Sequence, residues 1–360
     1  MSRIFLFTTM LALLSCALYA QPDVFTTKDQ LIAGDSGIQL SIRRIISTPA
    51  SANTSPKPTP PVILLLHGGG TGSTASFDLP GANGSLALPG ANGSFARELA
   101  ARGFIVYLMN VRGWENSTAP KYDPADTSLV AGSCQEAARD IDAVIRHIRK
   151  AESPGTKIHL FGWATGGHWA AYYASHYPDA HLASLILLNT LYSVKGPWSL
   201  NSSFADPQDS TRYNTQLSLY RVSNREAIVA SRRNAVPIAG KAQYFDSAAL
   251  QAYALRAISF QPDQVLRVPG GYRRESFNMA QGRSYWDAAK IRVPVLIVRS
   301  QYDFWSRPAD ATTLYHDLVH APKKKLVQLP QATHFVFLDK PEKGRRQLEN
   351  AIEDFTSSTK

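Results

Sequence analysis

The sequence predicts an α/β domain built on a mostly parallel central sheet, with a mainly helical cap inserted into it. Continuous apolar runs that end in glycines, such as "VILLLHGGG" (62–70), are typical of strands buried on both faces. These runs alternate with segments of helical periodicity, as expected when helices cover both faces of a parallel sheet. The alternation stops over 195–290, about a hundred residues rich in Tyr, Phe and Trp, which we interpret as the cap.

The core elements follow one another along the chain. Residues 31–46 alternate around a Gly-Asp-Ser-Gly turn and predict a β-hairpin. The later strands are predicted at "FIVYLMNV", "IHLFGW", "LASLILLNT", "VPVLIVRS" and "KLVQLP", and the helices at "FARELAARG", "GSCQEAARDIDAVIRHIRKA", "TGGHWAAYYASHYP" and "KGRRQLENAIEDFTSS". The core therefore divides into 21–194 and 291–360, on either side of the cap.

Residues 1–20 resemble a signal peptide. Arg3 supplies the positive start, an apolar run covers 4–14, and small residues precede Gln21. The run is too short for a stable membrane span, so we expect export, to the periplasm or outside the cell, and a mature chain that starts near Gln21. The alternative is a lipoprotein signal, "LLSC", with lipid attached at Cys16.

The composition excludes several function classes. The formal charge is +10, but the longest basic run is 323–325 and no arginine-rich arm is present, so we expect no nucleic-acid partner. The chain contains no H-E-x-x-H metal motif and no Walker-type phosphate loop. We therefore expect neither a metal nor a cofactor. The oligomeric state is not indicated by the sequence.

The stretch "GWATGG" (162–167) has the pattern of a nucleophile elbow, in which glycines flank a reactive residue between a strand and a helix. Ala164 stands at the position of the reactive residue. The backbone N–H of Thr165, at the start of the following helix, is one expected donor to an oxyanion. Gly69 is the first choice for the second donor, and Gly70 is the alternative.

His334 and Asp303 are the candidate base and orienting acid. His334 follows the last predicted strand, and Asp303 follows "VPVLIVRS". A carboxylate at 303 can accept a hydrogen bond from one ring nitrogen of His334 and so fix its tautomer. Asp310 competes for this role, but it immediately precedes a predicted helix, where capping is its expected function.

Together, "HGGG", "VRGWENST", "GWATGGHWAAYYASHYP", "RVPVLIVRSQYDFW" and "ATHFVFLDKPEKGR" resemble the α/β-hydrolase superfamily, and the serine esterases within it. The motifs occur in the family's order and cover nearly all of 30–355 outside the cap. The resemblance implies the α/β-hydrolase fold, with an eight-stranded, mostly parallel sheet, and hydrolysis through an acyl-enzyme; the expected partner is a small-molecule ester or lactone substrate. "FDLP", "RGW" and "YDFWSRP" further resemble exported esterases, including macrolide esterases. The sequence departs from the family at Ala164, where a serine is expected.

Three hypotheses remain open. The chain is a hydrolase of a carboxylic ester or lactone whose serine has been replaced by alanine and which is therefore inactive, or it is a natural non-hydrolytic binding protein, or it is a lyase or cofactor-free oxygenase with His334 as base. The aromatic cap favours a bulky, hydrophobic substrate, with a macrolide among the candidates. The duplicated stretch at 79–96, "LPGANGSLA" followed by "LPGANGSFA", is expected to lengthen a surface loop, or to line the mouth of the site. The side chains expected near the pocket walls are Trp163, Asp78, Trp198 and Trp305.

Overall fold

The computed structural model describes residues 24–35, 37–48, 59–79, 94–123, 130–178, 181–236, 239–240, 243–245 and 247–358. The expected signal peptide at 1–20, the alternative lipid site at Cys16 and most of the duplicated loop lie outside these ranges. Within the described ranges, no helix combines the length and the apolar character needed to cross a membrane.

Among the residues that the structure describes, eight strands form the central sheet. Its order is β1-β2-β4-β3-β5-β6-β9-β10, with β1 and β2 antiparallel to their neighbours and all the others parallel. This arrangement confirms the predicted fold class. The strands, numbered along the chain, are β1 (Val24–Ala33), β2 (Gln39–Thr48), β3 (Val62–Leu66), β4 (Ile105–Met109), β5 (Ile158–Trp163), β6 (Leu182–Leu188), β7 (Tyr220–Ser223), β8 (Leu266–Pro269), β9 (Val295–Tyr302) and β10 (Lys324–Thr333).

The burial of the strands explains their sequences. Every residue of β3, β4 and β5 is buried, because these strands lie in the middle of the sheet with helices on both faces. In β2 buried and less buried residues mostly alternate, as expected of an antiparallel strand near the sheet edge. The parallel strands β5, β9 and β10 therefore present their carboxyl ends at one edge of the sheet, where the candidate residues follow them.

Ten α-helices accompany the strands in the described part of the chain. The N-terminus of the long third helix is capped by Ser133, whose side chain accepts a hydrogen bond from the Glu136 N–H. Asp310 lies in the first turn of the ninth helix, three residues past Arg307, and its carboxylate accepts a hydrogen bond from the Arg307 N–H at 2.7 Å. The helices are α1 (Ser73–Phe77), α2 (Phe95–Ala101), α3 (Cys134–Ala151), α4 (Thr165–His176), α5 (Asn201–Phe204), α6 (Arg225–Asn234), α7 (Ser247–Ile258), α8 (Tyr272–Ala280), α9 (Pro308–Asp317) and α10 (Arg345–Ser357).

The segment between β6 and β9 holds helices α5 to α8 and also a two-stranded antiparallel sheet, β7 with β8. In its register Tyr220 pairs with Pro269 and Ser223 with Leu266. The sequence interpretation of this segment as a mainly helical cap did not foresee the strand pair. Each strand has only four residues, too few for their alternation to be recognised.

A buried ion pair joins this insertion to the core. Arg232 of α6 and Asp339, after β10, are 1% and 0% exposed, and Nη2 of the arginine lies 2.5 Å from Oδ1 of the aspartate. The guanidinium also lies over the rings of Phe245 and Phe335, at 5.1 and 4.9 Å from their centroids. Asp339 in turn accepts hydrogen bonds from the backbone and hydroxyl of Thr333. The segment that carries His334 is thus fixed to α6.

Candidate active site

Ala164 occupies the sharp turn between β5 and α4. Its φ of 53° and ψ of −114° are unfavourable for a residue with a Cβ, so the turn stores backbone strain. The turn also demands glycine on either side. A Cβ on Gly162 would lie 2.4 Å from the Gly166 carbonyl oxygen, and a Cβ on Gly166 would lie 2.3 Å from that of His67. The turn therefore has the strained, glycine-flanked backbone expected of a nucleophile elbow, and the side chain at residue 164 is a methyl group.

His334 and Asp303 are in direct contact, as their places after neighbouring strands β10 and β9 suggested. Nδ1 of His334 lies 2.6 Å from Oδ1 of Asp303. The carboxylate is itself held by the backbone N–H groups of Trp305, at 3.1 Å, and Ser306, at 2.8 Å, and by the Ser306 hydroxyl. Because Asp303 accepts the Nδ1 proton, Nε2 of His334 is left as the basic nitrogen.

Two side chains hold the backbone of His334. Its carbonyl oxygen accepts hydrogen bonds from Trp163 Nε1 at 3.0 Å and from Asn189 Nδ2 at 3.2 Å. Trp163 immediately precedes Ala164, and its ring centroid lies 5.0 Å from that of His334. The elbow and the histidine loop are thus joined through Trp163. Sequence reasoning missed Asn189, although it directly follows the strand β6, where polar residues of such sites collect.

Arg299 supports the loop that carries Asp303, and it too was missed. Its Nη2 donates to the carbonyl oxygen of Ser306 at 3.1 Å and lies 3.5 Å from the carbonyl oxygen of Asp303 itself. Burial in β9 lowers the pKa of this guanidinium. Arg299 therefore holds the Asp303 loop through two main-chain carbonyls. It does not line the cavity described below.

The expected oxyanion donors lie together on one cavity. Gly69, Gly70 and Thr165 all line it, beside Ala164 and His334. Within the described residues, the backbone N–H groups of Gly69 and Thr165 have no hydrogen-bond acceptor. Both groups are therefore available to an oxygen atom bound beside residue 164.

His67 fixes the glycine loop from below. Its Nε2 accepts a hydrogen bond from the Val111 N–H at 3.2 Å, so Nδ1 carries the proton and donates to the Gly68 carbonyl oxygen at 2.7 Å. Burial lowers the pKa of the imidazole to about 4, which keeps it neutral. Gly69 is held from above, because the Tyr272 ring packs so closely that a Cβ there would lie 2.3 Å from it.

The cavity has a volume of about 330 Å³ and a largely apolar wall. Trp163 and Trp305 line it, as expected, whereas Trp198 and Asp78 do not. Trp198 packs behind Trp305, to whose carbonyl oxygen its Nε1 donates at 2.7 Å. Besides these two tryptophans, the apolar residues of the wall include Leu200, Phe204, Ile228, Leu266, Phe304 and Phe335.

The expectation that Asp78 contacts substrate is corrected by its ion pairs. Its oxygens lie 2.9 Å from Arg43 Nη1 and 2.8 Å from Arg97 Nε, and the side chain is 1% exposed. These partners come from β2 and α2, so Asp78 joins a strand of the sheet to a helix. Both partners are distant in sequence, which is why the local pattern gave no sign of this role. Among the described residues, no cluster of three His, Cys, Asp or Glu side chains could hold a metal ion.

Comparisons with known proteins agree with this architecture. The family model described as the alpha/beta hydrolase fold matches residues 61–341. Among solved structures, an alpha/beta hydrolase from Novosphingobium aromaticivorans is similar with a TM-score of 0.57 and 16% identity, over 92% of this chain and 98% of that one. A thermophilic esterase from Thermogutta terrifontis has a TM-score of 0.52 and 18% identity, over 92% and 99%.

A monoacylglycerol lipase from Paleococcus ferrophilus is similar with a TM-score of 0.52 and 20% identity, over 84% of this chain and 96% of that one. No curated protein matched the sequence. Identities this low establish the fold alone, whereas the family model spans most of the chain. The sheet order, the elbow between β5 and α4 and the family match lead to one conclusion: this chain belongs to the alpha/beta hydrolase fold family.

Proposed function

We propose that the cavity is the site of an exported serine-type hydrolase of a carboxylic ester or lactone, and that Ala164 makes this chain inactive in hydrolysis. The observation that carries the proposal is the conformation of Ala164. An alanine gains nothing from a φ of 53° in a glycine-flanked turn, whereas a nucleophile there is presented to the cavity that also contains His334. The residue pattern of 1–20 supports export.

Each remaining residue has a definite task in such a reaction. With serine at 164, Nε2 of His334 takes the hydroxyl proton as the oxygen attacks the ester carbon, and Asp303 stabilises the imidazolium that forms. The N–H groups of Gly69 and Thr165 donate to the oxyanion. The imidazolium then protonates the leaving alkoxide, and a water molecule, deprotonated by the same histidine, releases the acyl group. The methyl group of Ala164 cannot start this sequence.

The cavity also bears on the size of the substrate. Its volume of about 330 Å³ is near the lower end of the range of about 300–1,000 Å³ found for small-molecule pockets. The apolar wall supports a hydrophobic acyl or alcohol group, and the size favours an ester or lactone of moderate bulk over a macrolide ring. The esterase and lipase similarities are consistent with this class.

The test is to install the missing oxygen. Ala164→Ser should react with a fluorophosphonate probe at residue 164, detected as a mass increase of the intact protein, and should release 4-nitrophenol from 4-nitrophenyl esters with an initial burst. The matched control is Ala164→Gly, which has the same backbone freedom or more and no nucleophile. It should show neither the label nor the burst.

Two further variants check the assigned roles in the Ala164→Ser background. His334→Ala should lower kcat by about 10³-fold or more, because the base is lost. Asp303→Asn should lower it by about 10⁴-fold, because an asparagine favours the wrong tautomer of His334. If Ala164→Ser takes no label and hydrolyses nothing in a panel of neutral and acidic esters and lactones, the proposal is refuted. A non-hydrolytic role of the cavity, in binding or in base catalysis by His334, would then be the better explanation.

A further inference from the structure

Two arginines line the cavity, Arg221 and Arg273, and among the described residues neither is paired with a carboxylate. Arg221 of β7 is half-buried and lines the wall, where its Nη1 donates to the Tyr272 hydroxyl at 3.3 Å. No other acceptor for its guanidinium is found in the part of the chain that the structure describes. The same Nη1 would lie 3.4 Å from a Cβ on Gly70, so the cation stands beside the glycine loop of the candidate oxyanion site.

The rest of the wall does not compensate this charge. Arg273 also lines the cavity, but two of its three nitrogens are engaged by main-chain carbonyls: Nε donates to Gly270 at 2.9 Å and Nη2 to Ser218, which holds this guanidinium against the backbone. Among the described residues of the wall there is no aspartate or glutamate. By contrast, the buried arginine of α6, Arg232, is paired with a carboxylate. Arg221 is therefore a cation placed in the cavity with a single neutral partner.

The chemistry of a guanidinium determines which ligand group would pair with Arg221. It presents five N–H donors in a planar fork that fits a carboxylate with two parallel hydrogen bonds. One donor group of Arg221 is engaged by the Tyr272 hydroxyl, which leaves Nη2 and Nε for a ligand. Both nitrogens lack an acceptor among the described residues and neither is fully buried, so both are accessible to a bound molecule.

We propose that Arg221 binds a carboxylate of the substrate, so that the site takes an amphipathic, monoanionic ester, such as the half-ester of a dicarboxylic acid. This inference rests on the proposed function for its ester group, but the binding step can be tested without catalysis. It departs from the sequence-based expectation, which favoured a bulky or hydrophobic substrate over a charged one. The apolar wall receives the body of the molecule, and Arg221 receives its charge.

The experiment uses the Ala164 chain as it is and a pair of ligands that differ in charge but hardly in shape, 4-phenylbutyrate and 4-phenylbutyramide. Titration calorimetry should show the acid binding about 10- to 100-fold more tightly than the amide, as expected of charge-assisted hydrogen bonds. Arg221→Met keeps the bulk and should abolish the preference. Arg221→Lys should retain part of it, because a lysine supplies the charge without the fork.

The control variant is Arg267→Met. Arg267 lies on β8, the partner strand of β7, where it is 46% exposed and pairs with Asp263. Its substitution removes the same charge from the same small sheet but not from the cavity, so the preference for the acid should persist. Thermal unfolding of all variants shows whether each has folded.

Three results would overturn the proposal. The first is equal affinity of the parent chain for acid and amide, or no binding of either. The second is a preference for the acid that persists in Arg221→Met, with affinity either unchanged or lost equally for both ligands; an equal loss would mean that the arginine only supports the Tyr272 ring. The third is the same loss of preference in Arg267→Met. Failure of Ala164→Ser to hydrolyse esters would refute the hydrolase but leave this binding result standing.

Discussion

Replacing Arg232 with methionine should strongly destabilise the protein, because Asp339 would be left as a buried carboxylate without its cation. Both side chains are almost fully buried, at 1% and 0% exposure. Removal of one partner from such a pair costs about 3–5 kcal/mol. The Thr333 backbone and hydroxyl still donate to Asp339, at 2.8 to 2.9 Å. These bonds offset part of the loss, and we therefore expect about 3 kcal/mol.

The assay is equilibrium unfolding in urea, in which the midpoint should fall while the slope stays constant. Arg233→Met is the matched control, because Arg233 is the next residue of α6 and is exposed; its effect should be within about 0.5 kcal/mol. Adding Asp339→Asn to Arg232→Met removes the buried charge and keeps an acceptor for Thr333, so more than half of the loss should be recovered. A loss below about 0.5 kcal/mol in Arg232→Met, or no recovery in the double variant, would refute the reasoning.

Two further predictions concern single substitutions in the core. Burial raises the pKa of Glu275 to about 7, so the folded state binds an extra proton above pH 4.5, and this residue's contribution to the free energy of unfolding falls as the pH rises from 4.5 to 7. Glu275→Gln should remove that dependence. In urea unfolding, the difference in the free energy of unfolding between parent and variant should change by up to about 3 kcal/mol between pH 4.5 and pH 7. A difference that stays constant with pH would contradict the prediction. Gly166→Ala should cost about 1–3 kcal/mol, because its Cβ would lie 2.3 Å from the His67 carbonyl oxygen. Gly196→Ala, whose Cβ would meet nothing closer than Arg307 at 3.6 Å, should be nearly neutral when both variants are unfolded in urea. Equal effects of the two substitutions would count against the steric explanation.

The sheet could be predicted from the sequence because buried strands are composed of apolar residues. The run at β3 is apolar without interruption, and the structure buries every residue of it. The contact of Asp303 with His334 was also accessible, since residues that follow neighbouring parallel strands meet at the same edge of the sheet. Both inferences depend only on local pattern and on the topology that the pattern implies.

The features that the sequence did not reveal depend on contacts between distant segments. Asp78 was assigned to the pocket, but ion pairs with Arg43 and Arg97 hold it elsewhere. The placement of Arg221 in the cavity needs the strand pair β7 and β8, which is too short to leave a periodic signal. Arg299 supports the Asp303 loop through main-chain carbonyls, which no side-chain motif records.

The tie between α6 and Asp339 also bears on how a ligand reaches the cavity. A lid that lifted α6 would have to separate a buried ion pair or pull on Thr333, the neighbour of His334, and so disturb the histidine each time it opened. Within the described residues, helix α5 forms no ion pair with the core; it is held by a hydrogen bond from Gln281 to Asn201 and by the contact of Phe204 with Trp198. It contributes Ser203 and Phe204 to the cavity wall, and none of its residues is buried. We therefore expect a ligand to enter and leave past α5, where movement would leave the ion pair behind His334 intact.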